Sequence, residues 1–280
     1  KEFIHASRNA GCTGVKFQLF KIDELFAPEI LKYSKTHQER KKWELNENYI
    51  PELSKLTRSL GMKFGCTPFY LEAVDFLEPY VDFYKIASYE LLWKDLFRKC
   101  IASGKPIVFS TGMSTIDEVK STMMTILEEN CKDITILHCN SAYPTPLKEA
   151  NLNRIELLKK FTKTVGISDH SSPEKNGNDL SLAAILYGAK IIERHFTILK
   201  KDKTRDGVVS VNFNQLKTLV SQSKENIISI KKRFNKKKNV LKIMHGNKFR
   251  ELSETELLSR DYYKGRFAMK DIKGKITYNW

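Results

Sequence analysis

Short apolar runs rich in β-branched and aromatic residues recur along this chain and alternate with longer stretches of helical periodicity. The runs are Val15–Phe20, Phe64–Phe69, Phe83–Ser88, Pro106–Gly112, Ile134–Asn140, Val165–His170 and Lys190–Phe196. None alternates apolar with polar positions over its whole length, which suits strands buried on both faces of a parallel sheet. Between them, Ile50–Leu60 sets Ile50, Leu53, Leu56 and Leu60 at helical spacing, and Ile116–Leu127 does the same with Val119, Met123 and Leu127. Leu152–Phe161 and Asp179–Leu186 continue the series. Phe213–Phe234 predicts one long final helix, with Leu216, Val220, Ser223, Ile227 and Ile230 on roughly one face. Strands alternating with helices predict right-handed βαβ units around a parallel sheet.

Seven strands are read here, and a TIM barrel has eight. The opening stretch Lys1–Cys12 reads as a helix that begins mid-pattern, so a strand is expected upstream of it. The fold expected is therefore α/β, a TIM (β/α)8 barrel lacking its first strand. An open doubly wound sheet is the alternative, but it usually carries a Gly-rich first loop, and no GxGxxG occurs. The expected division is a barrel over 1–238, a linker over 239–258, and the start of a further module over 259–280. Ser114, just past Gly112, is expected to cap the helix that contains Val119.

Composition narrows the class. With 41% hydrophobic and 29% charged residues, the chain is an ordinary globular protein of 280 residues. It has no apolar run of about 18 residues, so no membrane span is expected. Its five scattered cysteines lack CxxC spacing, which argues against a disulfide framework or a zinc site and for a reducing cytoplasm. The net charge of +15 favours anionic substrates. Much of it sits in Lys231-Lys232-Arg233 and Lys236-Lys237-Lys238, read as a solvated helix end, with no nucleic-acid motif beside it.

The candidate chemistry lies at the C-terminal ends of the strands, where βα loops meet in a barrel. The polar residues there are Lys16 and Gln18, Thr67, then Lys85, Ser88 and Glu90. Ser110 and Thr111 follow, then His138, Asn140, Ser141 and Tyr143. The series closes with Ser168, Asp169 and His170, then Glu193 and His195. Each alone has an ordinary explanation: a snorkelling lysine, a helix cap, a hydrogen-bonded core histidine. Together they imply one polar mouth. Two lysines and several hydroxyls suit a phosphate or carboxylate. His170 and His195, on neighbouring strands, could ligate one divalent metal and leave room for water and substrate. Glu90 and Asp206 are candidates for sugar hydroxyls or acid–base work. Tyr143 sits in a stiff loop between Ser141 and Pro146.

Eight strings in order carry a resemblance. They are Val15-Lys16-Phe17-Gln18, Cys66-Thr67-Pro68-Phe69, Tyr84-Lys85-Ile86-Ala87-Ser88 and Ser110-Thr111-Gly112-Met113, then Leu137-His138-Cys139, Tyr143-Pro144-Thr145-Pro146, Gly166-Ile167-Ser168-Asp169-His170 and Glu193-Arg194-His195-Phe196-Thr197. From Val15 to about Phe213 the chain resembles the sialic acid synthase family, with its pseudaminate and legionaminate relatives. The resemblance implies a TIM barrel in which Mn2+ or Mg2+ activates the aldehyde of an open-chain N-acetylated amino sugar and C3 of phosphoenolpyruvate attacks it. It implies Lys16, Lys85 and Glu90 as catalytic groups, and Lys16, Thr67, Lys85, Ser88, Ser110 and Ser168 as phosphoenolpyruvate contacts. Gln18, Glu90, Tyr143 and Asp206 would contact the sugar, and His170 and His195 the metal. It also implies a catalytic Glu on the upstream strand. Arg266-Phe267-Ala268 and Lys270-Asp271-Ile272-Lys273-Gly274 resemble the start of the family's antifreeze-like (SAF) domain, which implies a domain-swapped homodimer. Departures from the family fall near the sugar: Tyr89 in place of Gly, Ser141 in place of Asn, Gly207 after Asp206 in place of His, and a longer Ser171–Asp179 loop. They bear on the acceptor more than on the reaction. Another phosphoenolpyruvate-condensing barrel, a Schiff-base aldolase barrel acting through Lys85 and a non-catalytic sugar-binding barrel are the other readings.

Overall fold

The computed structural model describes residues 1–263, 267–270 and 276–278. Seven parallel strands form one sheet in sequence order: β1 Gly14–Leu19, β2 Lys63–Pro68, β3 Phe83–Ile86, β4 Ile107–Ser110, β5 Ile134–Cys139, β6 Thr164–Asp169 and β7 Ile191–Arg194. Each answers to one of the expected runs, shortened by one or two residues at the loop end. A helix follows nearly every strand, so the chain is α/β and built from βαβ units. All six positions of β5 are buried, which is why its run shows no alternation.

The sheet is curled. β1 and β7 lie at opposite ends of the hydrogen-bonded order, yet Lys16 Nζ of β1 comes within 4.0 Å of Glu193 Oε2 of β7. Outside the strands, the helix Glu2–Ala10 packs on the helix Phe213–Ser223. Phe3 meets Phe196 edge-on at 6.0 Å. Between helices and sheet lies one continuous core, in which Phe97 and Phe109 form a T-shaped pair at 5.5 Å. At β6, Gly166 lets β7 approach: a Cβ there would stand 2.3 Å from the carbonyl oxygen of Ile191. Residues 20–49, between β1 and the helix Ile50–Ser59, fold into short helical turns. Ile22, Leu25 and Phe26 of this segment pack on Phe69 and Ala87, at the loop ends of β2 and β3, and so wall one side of the mouth.

Two expectations need correction. The long helix over Phe213–Phe234 is two helices, Phe213–Ser223 and Ile227–Asn235. The side chain of Asn226 accepts a hydrogen bond from Ser229 N and starts the second one as its N-cap. Ser114 does not cap the Ile116–Glu128 helix; Thr115 does, in a capping box with Glu118. The stretch 239–258 carries most of the helix Lys238–His245 and the first turn of Glu254–Tyr263, and it buries Met244 and Glu256.

Beyond this, β8 Phe267–Lys270 pairs antiparallel with β9 Ile276–Tyr278. The antifreeze-like signature falls largely on Arg266 and 271–274, outside the described residues. All five cysteines are free. Among the described residues no helix is long and apolar enough to cross a membrane. The basic run ties helices together, with Lys237 Nζ 2.7 Å from Asp179 Oδ2 and Arg233 paired with Glu225.

Candidate active site

Side chains two apart on a strand share a face, so Ser168 and His170 point together, as do Glu193 and His195. Register does the rest: Ser168 pairs with Glu193 across β6 and β7, and Cys139 with Ser168 across β5 and β6. These parallel neighbours bring their side chains to one mouth at the C-terminal ends of the strands.

The first cluster is built on Lys85, which is 2% exposed. Its Nζ donates to Ser110 Oγ at 2.7 Å and to the carbonyl of Ile86 at 2.9 Å, and lies 3.9 Å from Glu193 Oε1. Ser88 Oγ reaches Ser110 Oγ at 3.1 Å and accepts from Gly112 N at 2.9 Å. Ser168 Oγ donates to Glu193 Oε1 at 2.7 Å. Glu193 thus sits between two ammonium groups, each attracted by on the order of 4 kcal/mol at an effective dielectric of ~20, before desolvation is counted. Burial opposes its charge, but Lys85 and Lys16 prevail and hold the carboxyl down at about 2. Burial pushes the Lys85 ammonium below its ordinary value, with Glu193 opposing. Its two hydrogen bonds and the nearby Glu193 carboxylate favour the charged form.

The second cluster is aromatic. His170 and His195 have ring centroids 5.2 Å apart, and Tyr143 stacks on His170 at 4.2 Å. Nδ1 of His170 lies 2.7 Å from the carbonyl oxygen of Asn140, which can only accept, so that nitrogen carries the proton. Nδ1 of His195 lies 3.5 Å from Asp206 Oδ2. Each ring, when neutral, therefore keeps its lone pair on Nε2, the arrangement by which proteins fix imidazole ligands. Tyr143 Oη stands 3.1 Å from Nε2 of His170. Burial, then the charge of His170, pushes His195 down to about 4. Burial would lower His170 as well, but Cys139, whose Sγ lies 3.6 Å from Nδ1, raises it on balance. Among the described residues no group of three or more His, Cys, Asp or Glu side chains could hold a metal ion.

Of the residues singled out from sequence, the structure brings Lys16, Lys85, Ser88, Ser110 and Ser168 into the first cluster. It brings His170, His195, Tyr143 and Asp206 into the second. Ser168 joins the two, with Oγ 3.5 Å from Nε2 of His170. Glu90 is buried and is felt electrostatically by Lys85. Gln18 and Thr67 are register partners at the rim, but neither hydrogen-bonds to the clusters; Thr67 Oγ1 is buried without a partner. Glu193, noted in the sequence only as a strand-end polar residue, proves to be the counter-charge of both lysines. Its spacing two residues before His195 was the available signal. The buried pair Arg194–Asp169, with N–O 2.6 Å, was not anticipated either.

This geometry can bind an anion beside two imidazoles, and comparison with known proteins says where such a mouth belongs. The model of the NeuB family matches residues 3–234. The chain belongs to the NeuB family. It is 33% identical over 239 residues to an N,N'-diacetyllegionaminic acid synthase of Campylobacter jejuni, an alignment covering 80% of this chain and 70% of that one. It is 31% identical over 243 residues to a pseudaminic acid synthase of Helicobacter pylori, covering 82% and 70%. The chain spans about two thirds of the length of the curated relatives it matches, 64% to 70% for three of them. A solved spore coat polysaccharide biosynthesis protein of Bacillus subtilis superposes with a TM-score of 0.73 at 26% identity, covering 94% of this chain and 72% of that one.

Proposed function

We propose that this NeuB-family chain is the catalytic part of a synthase that condenses phosphoenolpyruvate with an N-acetylated amino sugar, giving a nonulosonic acid and inorganic phosphate. The observation that carries the reading is the junction of Lys16 and Lys85 on Glu193, ringed by Ser88, Ser110 and Ser168 and adjoining two imidazoles. A phosphate and a carboxylate on one small molecule match that donor set. The names of the legionaminic and pseudaminic relatives favour a diacetamido-trideoxyhexose acceptor, with N-acetylmannosamine the alternative.

In the reaction, C3 of phosphoenolpyruvate forms a bond to the aldehyde carbon of the open sugar, whose oxygen takes up a proton. Water adds at C2, and loss of phosphate from C2 leaves the keto group. Lys16 and Lys85 hold the anion, and the serine hydroxyls orient it. Glu193 fixes both ammonium groups and preorganises the positive field. His170 and His195 would hold Mn2+ or Mg2+, whose chemistry is Lewis-acid polarisation of the aldehyde. Tyr143, Gln18, Glu90 and Asp206 would face the sugar, and Thr67 Oγ1, buried without a partner, is a further donor toward phosphoenolpyruvate. An eighth strand between β7 and β1 would complete the ring as a TIM barrel, and the parent enzyme would be a cytoplasmic homodimer.

Lys85 alone favours a second reading. A buried lysine with a lowered pKa is the nucleophile of Schiff-base aldolases. Against it, the Lys85 ammonium is engaged by Ser110, Ile86 and Glu193 at once. The test is phosphate release by the full-length protein with phosphoenolpyruvate, Mn2+ and a panel of acceptors, run beside borohydride trapping. Metal-dependent phosphate release without a trapped imine supports the synthase; a trapped imine on Lys85 overturns it.

A further inference from the structure

The helix Glu254–Tyr263 lies beyond the 3–234 stretch matched by the family, yet it reaches into the loops that build the mouth. Ser253 and Glu256 form a capping box: Glu256 N donates to Ser253 Oγ and Ser253 N to Glu256 Oε2, both at 3.3 Å. The same carboxylate does more than cap. Its Oε1 accepts from Met113 N at 2.9 Å, in the loop after β4, and from Ser141 N at 3.1 Å, in the loop after β5. Glu256 is 0% exposed, and Arg250 neutralises it, with Nη2 2.9 Å from Oε1. One turn on, Arg260 Nη1 donates to the carbonyl oxygen of Met113 at 3.0 Å. Met113 is therefore held at both its amide and its carbonyl, at a backbone φ of 53°. Such a left-handed conformation is unfavourable for a side chain as long as methionine and persists only where its surroundings enforce it.

Both loops lead directly to the two clusters. Gly112, next to Met113, donates its N–H to Ser88, which bonds Ser110, the partner of Lys85. Gly112 also lets the loops meet, since a Cβ there would stand 2.3 Å from Ser141 Oγ. Asn140, next to Ser141, fixes Nδ1 of His170 through its carbonyl. One carboxylate thus ties the lysine–serine half of the mouth to the imidazole half.

We infer that Glu256 is a positioning residue of the active site, holding the β4 and β5 loops in the alignment that places Ser88 and Ser110 against the anion and His170 beside it. The substrate part of this inference rests on the proposed function; the clamp itself does not. Glu256 touches no reacting group. It acts through the backbone amides of Met113 and Ser141.

The experiment compares the full-length protein with Glu256→Gln, Glu256→Ala and Arg260→Met, reading amide hydrogen exchange at Met113 and Ser141 and steady-state kinetics with phosphoenolpyruvate. Exchange at both amides should quicken in the order Gln then Ala, by about tenfold or more for Ala, the cost of a lost charge-assisted hydrogen bond. The KM for phosphoenolpyruvate should rise by about tenfold in the folded Gln variant. A merely structural role would lower the active fraction and kcat while leaving KM unchanged. If both Glu256 variants fail to fold, Arg260→Met, which leaves the Arg250 pair intact, should still speed exchange at Met113 and raise KM. Unchanged exchange and unchanged KM in the folded variants overturn the inference. Absence of phosphate release by the parent protein with every acceptor sinks the function and the substrate half together, while the exchange measurement still decides the clamp.

Discussion

Lys85 shows how much one residue's meaning depends on its neighbours. In the sequence it is a lysine ending an apolar run; in the fold it is buried against Ser110, Ile86 and Glu193. Lys85→Ala should raise the KM for phosphoenolpyruvate by roughly 10–100-fold, the worth of a hydrogen bond to a charged group. Steady-state kinetics at saturating acceptor check this, and an unchanged KM and kcat would remove Lys85 from the anion site. His170 and His195 make a parallel case. His170→Ala or His195→Ala should weaken Mn2+ binding at least tenfold, measured by titration calorimetry in the absence of substrate, and should abolish metal-dependent turnover. Undiminished binding in both variants would refute the metal assignment. Glu193 was legible only as polar, because its role comes from lysines on β1 and β3, strands remote from it in sequence.

Helices and strands were legible because their periods survive in the sequence. Each of the seven strands lies on an apolar run, and the run ends erred toward the loops because apolar residues such as Phe20 and Phe69, or buried polar ones such as Asn140 and His170, follow the last strand residue. Where side chains compete for backbone groups, the pattern failed. The face of Leu216, Val220, Ile227 and Ile230 is continuous in the sequence, but Asn226 caps a new helix inside it. Cap identity slipped by one residue at Ser114, because the capping box needs Thr115 and Glu118 three apart. Thr115→Ala should cost about 1 kcal/mol in denaturant unfolding. Gly166→Ala should cost more, roughly 1–3 kcal/mol as in other overpacked cores, because its Cβ would meet the backbone carbonyl of Ile191. Equal stability of the Gly166 variant and the parent would show that β6 and β7 can move apart at no cost.

At the scale of the molecule, the segment after the seven-stranded sheet and its helices packs back onto the fold. Glu256 has its carboxyl held at about 2, below the ordinary 4.5; burial would raise it, but Arg250 and the amides of Met113 and Ser141 outweigh burial. A depressed carboxyl contributes stability that is fully present above pH 4.5 and is lost as pH falls toward 2. The shift corresponds to about 3 kcal/mol. Urea unfolding at pH 6 and at pH 3 should show a larger acid loss for the parent than for Glu256→Gln, and identical losses would exclude Glu256 as the titrating group.

The sequence by itself determined the α/β alternation, the seven strands and the polar residues that end them, because strand and helix periods and loop chemistry are local. Eight short strings were enough to point to the family that the match over residues 3–234 then showed. Only the tertiary structure decided which of those polar residues meet. Curling the sheet brings Lys16 of β1 and Glu193 of β7 within 4.0 Å, and folding back the last described helix sets Glu256 on loops more than a hundred residues upstream. Such contacts leave no period in the sequence, since they arise from closure of the whole chain around one mouth.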